Sequence, residues 1–344
     1  MKNTAYFFIT IIAIVITLIY GQSLLQPFIF ALLLWFIIRK IREGLNKVKF
    51  IEKYFPSWLK TLIPSIILIS VFAFISKMLM ANINSLAQSY PVYEQNIEIM
   101  IAQLNDIFQI NLVDFFKSQA GDFDFGIILK KIFKSLSDLL SNAFIILIYA
   151  LFIFLEEANF YTKLKAVFKE KDQFNQLNDV LDKIEKSITS YIGLKTFVSF
   201  VTGLASYIAL LFIGIDAPLF WAFLIFLLNY IPTIGSLIGT LFPAIFCVLQ
   251  FGDFKSCLWV LGIVGGIQVV VGNLLEPKLM GNSLNISSFV AIFALSFWGA
   301  LWGITGMLLS VPITVIMVII FSHFTSTKAI AIMLSEKGII NEDS

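Results

Sequence analysis

The sequence is poor in the residues that most chemistry uses. It contains a single histidine, His323, and two cysteines, Cys247 and Cys257. A zinc site or a Ser-His-Asp hydrolase would have to be built on that one imidazole. The cysteines lie in apolar stretches without metal-ligand spacing, and they read as small hydrophobes. Charged residues are only 13% of the chain, about half of the usual ~25%. Net charge is +2, too small and too dispersed for a nucleic-acid partner. No phosphate-cradling Gly-rich loop ending in Lys-Ser/Thr occurs, which excludes ATP-driven transport by this chain. No cofactor is implied. In place of these features, hydrophobic residues reach 59%, with 36 phenylalanines among 344 residues, and such a chain cannot be disordered.

Charge is absent altogether from residues 3–38, 61–76, 139–155, 196–215, 217–252, 256–275 and 279–327. A membrane-crossing helix needs about 20 mostly apolar residues. The longest runs exceed one straight crossing, so each must turn or break. The fold class is therefore all-α: a polytopic transmembrane protein with about eight membrane segments. Residues 3–38 divide at Gly21-Gln22-Ser23, which predicts helices near 5–20 and 24–38. Read as a signal peptide, this stretch lacks a cleavage site after Tyr20 and stays apolar to Ile38.

Lysine and arginine orient the chain. The loop at 39–60 carries Arg39, Lys40, Arg42, Lys47, Lys49, Lys53 and Lys60 and should be cytoplasmic. Segment 81–138 is acid-rich and should lie outside. Segment 156–195 is lysine-rich and should lie inside, as should the tail with Lys328 and Lys337. This divides the chain into 1–80 (the N-terminal transmembrane helices with the basic cytoplasmic loop), 81–138 (an outer amphipathic segment) and 139–195 (a crossing plus a cytoplasmic amphipathic helix). A core at 196–327 and a cytoplasmic tail at 328–344 complete it. Between 174 and 194, Val180, Ile184, Ile188 and Tyr191 recur at three- and four-residue steps, the pattern of a helix on the bilayer or capping the bundle. The turn-rich stretch 121–126 interrupts the outer segment, and Asp216 and Asp253 read as plain loop residues.

The C-terminal half carries the candidate site. Asn229-Tyr230-Ile231-Pro232-Thr233-Ile234-Gly235-Ser236 sits inside a charge-free block. Pro232 removes a helical N–H, and Gly235 loosens the chain. Backbone groups freed at membrane depth are tolerated only where protein or a wet cavity satisfies them, and transporters place solute sites at such breaks. Gly299, Gly303, Gly306 and Pro312 repeat the theme, with the small-residue spacing of close helix packing. If one block folded back and the other crossed, the tail would end outside, so both fold back or neither does. Between them lie Gln268, Asn273 and Glu276. Glu276 has two readings: a group facing a cavity that carries a proton or cation, or an interfacial acid paired with Lys278.

The stretches at 229–236, Pro243, 273–281 (Asn-x-x-Glu-Pro-Lys-Leu-Met-Gly) and 303–312 resemble, in content and order, the autoinducer-2 exporter family of bacterial permeases. The resemblance implies export of a small polar solute, autoinducer-2 in some members, or sodium or lithium/proton antiport in others. It also implies residence in the bacterial inner membrane, with both termini cytoplasmic. Ser287-Ser288 stands where the family often has a His-Pro pair, so a role for that histidine is absent. The expected pathway residues are Glu276, Asn273, Gln268, Asn229, Pro232 and Gly235. Gly299, Gly303, Gly306 and Pro312 are expected at breaks or packing contacts. The expected partners are the solute, protons or sodium, membrane lipid and a second copy of the chain. Alternating access biased by Glu276 protonation is the expected mechanism. A non-transporting scaffold is the reading from another class.

Overall fold

The computed structural model describes residues 2–108, 125–168, 170–280, 285–336 and 338. The stretch 121–124 of the turn-rich interruption lies outside the described residues. All regular elements among the described residues are helical. Helices α1 (Lys2–Tyr20) and α2 (Gln22–Asn46) are divided at Gly21, as the sequence predicts. They are followed by the short α3 (Lys49–Tyr54), then α4 (Ser57–Phe108) and α5 (Phe125–Val167). Next come α6 (Lys171–Ile213), α7 (Pro218–Leu228), α8 (Ile234–Phe251) and α9 (Phe254–Val270). A π-turn over Val271–Leu275 leads into α10 (Glu276–Met280), and α11 (Ser288–His323) and α12 (Lys328–Leu334) end the chain. Six helices are long and apolar enough to cross a membrane, or seven when the two arms of α5 are taken as one span bent by 62°.

Several sequence segments merge into longer helices. The amphipathic stretch at 174–194 and the apolar run after it form one helix, α6. Its apolar face is not left for a bilayer surface. Ile184, Ile188, Tyr191 and Ile192 pack with Phe36 of α2 and with Val311 and Val315 of α11.

The chain forms two compact units. One comprises Met1–Ile67, Asn142–Leu194 and Met280–Ser344; the other comprises Leu68–Ser141 and Lys195–Leu279. In the first unit, Glu157 at the bend of α5 accepts a hydrogen bond from Trp35 Nε1 at 3.1 Å and pairs with Arg42. Arg39 pairs with Glu185 at 3.0 Å and lies over the Trp35 ring. These pairs tie the basic end of α2 to α5 and α6. In the second unit, Leu79, Leu86 and Tyr93 recur every seven residues along α4 and are buried against Phe220, Trp221 and Phe246. A heptad step keeps residues on one helix face, so α4 presents a continuous apolar edge to this core.

Both glycine-marked blocks double back. In a straight helix, residues seven or eight apart are separated by roughly 10–12 Å of rise. Here a Cβ on Gly235 would strike the Leu228 carbonyl, and one on Gly306 would strike the Trp298 carbonyl. Such proximity requires the chain to reverse between those positions. The first reversal uses Thr233 at φ 60°, and the second uses Gly303 at φ 61°, ψ −142°. That second conformation is open essentially to glycine alone. The ends of each hairpin are also tied together. In the first, Gln250 donates to the Gly214 carbonyl and accepts from the Asp216 amide; in the second, the start of α11 is tied to the helix that follows it, the Ser287 amide donating to the Leu334 carbonyl of α12. In each block the chain therefore reverses direction between its two halves.

Two acids read as loop residues have structural work, which corrects that expectation. Asp216 accepts from the Tyr93 hydroxyl at 2.7 Å, and its carbonyl accepts from Trp221 Nε1. Burial, reinforced by the Asp216 bond, pushes the Tyr93 pKa up, so the hydroxyl stays a donor. Asp253 caps α9, accepting from the Ser256 amide at 2.7 Å. The Asp216 latch depends on a hydroxyl 123 residues away, whereas an Asp just before an apolar helix is a local capping signal. Asp253→Ala should lower stability by about 1 kcal/mol, and Asp253→Asn should retain most of it; thermal unfolding of the purified protein checks both.

Candidate functional site

The candidate site lies in the second unit, where α6 meets the tip of the α7–α8 hairpin and the start of α10. Helix α6 contributes Lys195, Ser199, Thr202 and Ser206, spaced by four, three and four residues and all buried. That spacing sets them on one helix face. A polar face at membrane depth must find partners within the protein. Asn229, at the end of α7, donates to Ser199 Oγ at 3.0 Å. Tyr230 and Thr196 share a hydroxyl–hydroxyl bond of 2.6 Å. Thr202 donates back to the Val198 carbonyl. The hairpin tip is therefore pinned to α6 within one turn of Lys195.

The charge at the centre of this seam is an ion pair. Lys195 Nζ donates to Glu276 Oε1. The Lys195 side chain is 4% exposed and that of Glu276 is 26% exposed. The pairing of Glu276 with Lys278, one of its two sequence readings, is thus replaced by a partner 81 residues away. Lys195 was the residue that sequence reasoning missed. Its signal is its place as the last charge before a charge-free run, although by composition it resembles the solvated lysines of the 156–195 segment. Helix α6 continues unbroken through this position, so Lys195 is inside the packed helix rather than in a loop.

The other expected pathway residues are distributed along the same unit. Gln268 of α9 is buried, lies across from Gly239 of α8, and its Nε2 has no hydrogen-bond partner among the described residues. Asn273 lies in the π-turn and is exposed. A π-turn inserts an extra residue into the helix and is frequent at functional sites; here it directly precedes Glu276. Pro232 and Gly235 form the hairpin tip, with Gly235 buried. Gly299, Gly303, Gly306 and Pro312 belong to the other unit and are not part of this seam. Gly299 faces the Met307 side chain across the second reversal. No group of three or more His, Cys, Asp or Glu side chains suited to a metal occurs among the described residues.

Comparison with known proteins agrees with this architecture. The family model described as AI-2E family transporter matches residues 8–326. The AI-2 transport protein TqsA of Escherichia coli is 29% identical, with 92% of this chain and 91% of that protein covered. A Haemophilus influenzae protein named in general terms for transport is 29% identical over 94% of this chain and 95% of its own. A Borreliella burgdorferi protein, similarly named, is 36% identical over 59% of this chain and 57% of its own. A multi-pass helical chain with two broken hairpins, matched over nearly its whole length, belongs to the AI-2E family of transporters.

Proposed function

We propose that this chain is a permease that exports a small polar solute by alternating access, driven by an ion gradient, from the bacterial inner membrane with both termini cytoplasmic. Autoinducer-2 is the first solute to examine, because TqsA carries that name. The observation that supports the reading is the Lys195–Glu276 pair held beside a hairpin tip, on a polar face of α6 that is buried in the protein. Charged groups in such surroundings are costly to keep and usually face a pathway or a partner. The surrounding hydroxyls and amides of Thr196, Ser199, Asn229 and Tyr230 donate and accept hydrogen bonds. They suit a solute rich in hydroxyl and carbonyl groups.

The test is efflux from proteoliposomes loaded with labelled autoinducer-2, with and without an imposed proton gradient. Wild type should show gradient-dependent efflux that Glu276→Gln loses while inserting normally. Unchanged efflux and pH dependence in Glu276→Gln would remove Glu276 from the pathway. Absence of efflux from folded wild type would remove autoinducer-2 as the solute. The second reading, a sodium or lithium/proton antiporter, draws on the same carboxylate and needs it open to a metal cation.

A further inference from the structure

Hard cations bind through oxygen ligands, carboxylates foremost. Within residues 196–279 the carboxylates are Asp216, Asp253 and Glu276. Asp216 is held by Tyr93, and Asp253 caps α9. Glu276 is therefore the acid in this segment with a place for a cation, and the Lys195 ammonium already sits on it.

We propose that Lys195 acts as a tethered cation, its ammonium filling on Glu276 the place that a sodium or lithium ion would take, so that the seam is neutral and selects an uncharged polar solute. The inference rests on the permease reading of the same seam and deepens it. A free ion must compete with an ammonium that the chain holds at high effective concentration. It must also leave that ammonium unpaired at 4% exposure, which is strongly unfavourable. A solute with net charge meets the same obstacle, because the two charges of the seam already neutralise each other. What the site has left to offer is neutral. Gln268 Nε2, farther along α9 against Gly239, is a buried donor without a partner among the described residues, and the hydroxyls and amide around the hairpin tip can exchange their present bonds for bonds to a solute. Lys195 is thus a specificity-determining residue, and it weighs against the antiporter reading for this chain.

The test measures cation binding rather than solute flux, so it stays readable if autoinducer-2 is not carried. Thermal unfolding of the full chain in detergent is compared in sodium, lithium and choline chloride at equal ionic strength. Wild type and Lys195→Arg should show the same midpoint in all three salts. Lys195→Met should unfold about 2–4 °C higher in sodium or lithium than in choline. The double variant Lys195→Met/Glu276→Gln should lose that difference. A Lys195→Met protein indifferent to the salt would overturn the proposal. Radioactive sodium uptake by wild-type proteoliposomes gives a second readout that needs no lysine variant. Uptake that Glu276→Gln abolishes would overturn it as well, whereas uptake no different from empty vesicles is the expected result.

Discussion

Gly306→Ala should destabilise the protein by about 3 kcal/mol or more, and Gly235→Ala by a similar amount. In each case the new methyl group is driven into a backbone carbonyl, of Trp298 or of Leu228. A side chain at that place could rotate away; a carbonyl at the tip of a helical reversal cannot move without opening the hairpin. Gly303→Ala should cost about 1–3 kcal/mol through backbone strain alone, since space is open around it. The control is Gly266→Ala in α9, where an added Cβ meets nothing within 4 Å. There the higher helix propensity of alanine should be neutral or stabilising by up to ~1 kcal/mol. Folded yield and unfolding midpoints of the four purified variants test this order. A Gly306→Ala protein as stable as the Gly266→Ala control would mean that α11 does not double back.

The second large effect concerns the ion pair. Removing one member of a buried pair costs about 3–5 kcal/mol, whereas replacing both with apolar groups of similar size can be neutral. The two single variants should differ because the partners are unequally buried. Glu276→Leu strands an ammonium that is 4% exposed, while Lys195→Met strands a carboxylate that is 26% exposed and can rehydrate. Measured in choline chloride, Glu276→Leu should fall in the 3–5 kcal/mol range and Lys195→Met nearer 2 kcal/mol. The double variant Lys195→Met/Glu276→Leu should be more stable than either single one, though inactive. Additive losses in the double variant would show that the pair contributes no coupling, and would undercut both the permease site and the tethered-cation role. The sodium and lithium rescue of Lys195→Met adds a check that ordinary loss of packing cannot imitate.

The membrane class, the division at Gly21 and the positions of both chain breaks were legible because they depend on local composition. Apolar runs, proline and glycine act on the residues beside them, whatever the rest of the chain does. The family resemblance was legible for the same reason, since its motifs are contiguous stretches. The reversal of the chain within each block was not legible in the same way. It depends on Gly235 and Gly306 sitting against a carbonyl seven or eight residues back, and such a contact exists only after the chain has turned.

Glu276 stood out in the sequence as a charge at the end of an apolar helix, yet its partner did not. Lys195 is 81 residues away, and composition counted it among lysines that face water. Asp216 is the same case, since Tyr93 is 123 residues away, whereas Asp253 caps α9 through Ser256, three residues on. A charged side chain carries no local mark of the group that will neutralise it. What decided the pairing was the tertiary packing, which brings Lys195 of α6 against Glu276 of α10 and leaves each buried charge only those partners that the fold itself supplies.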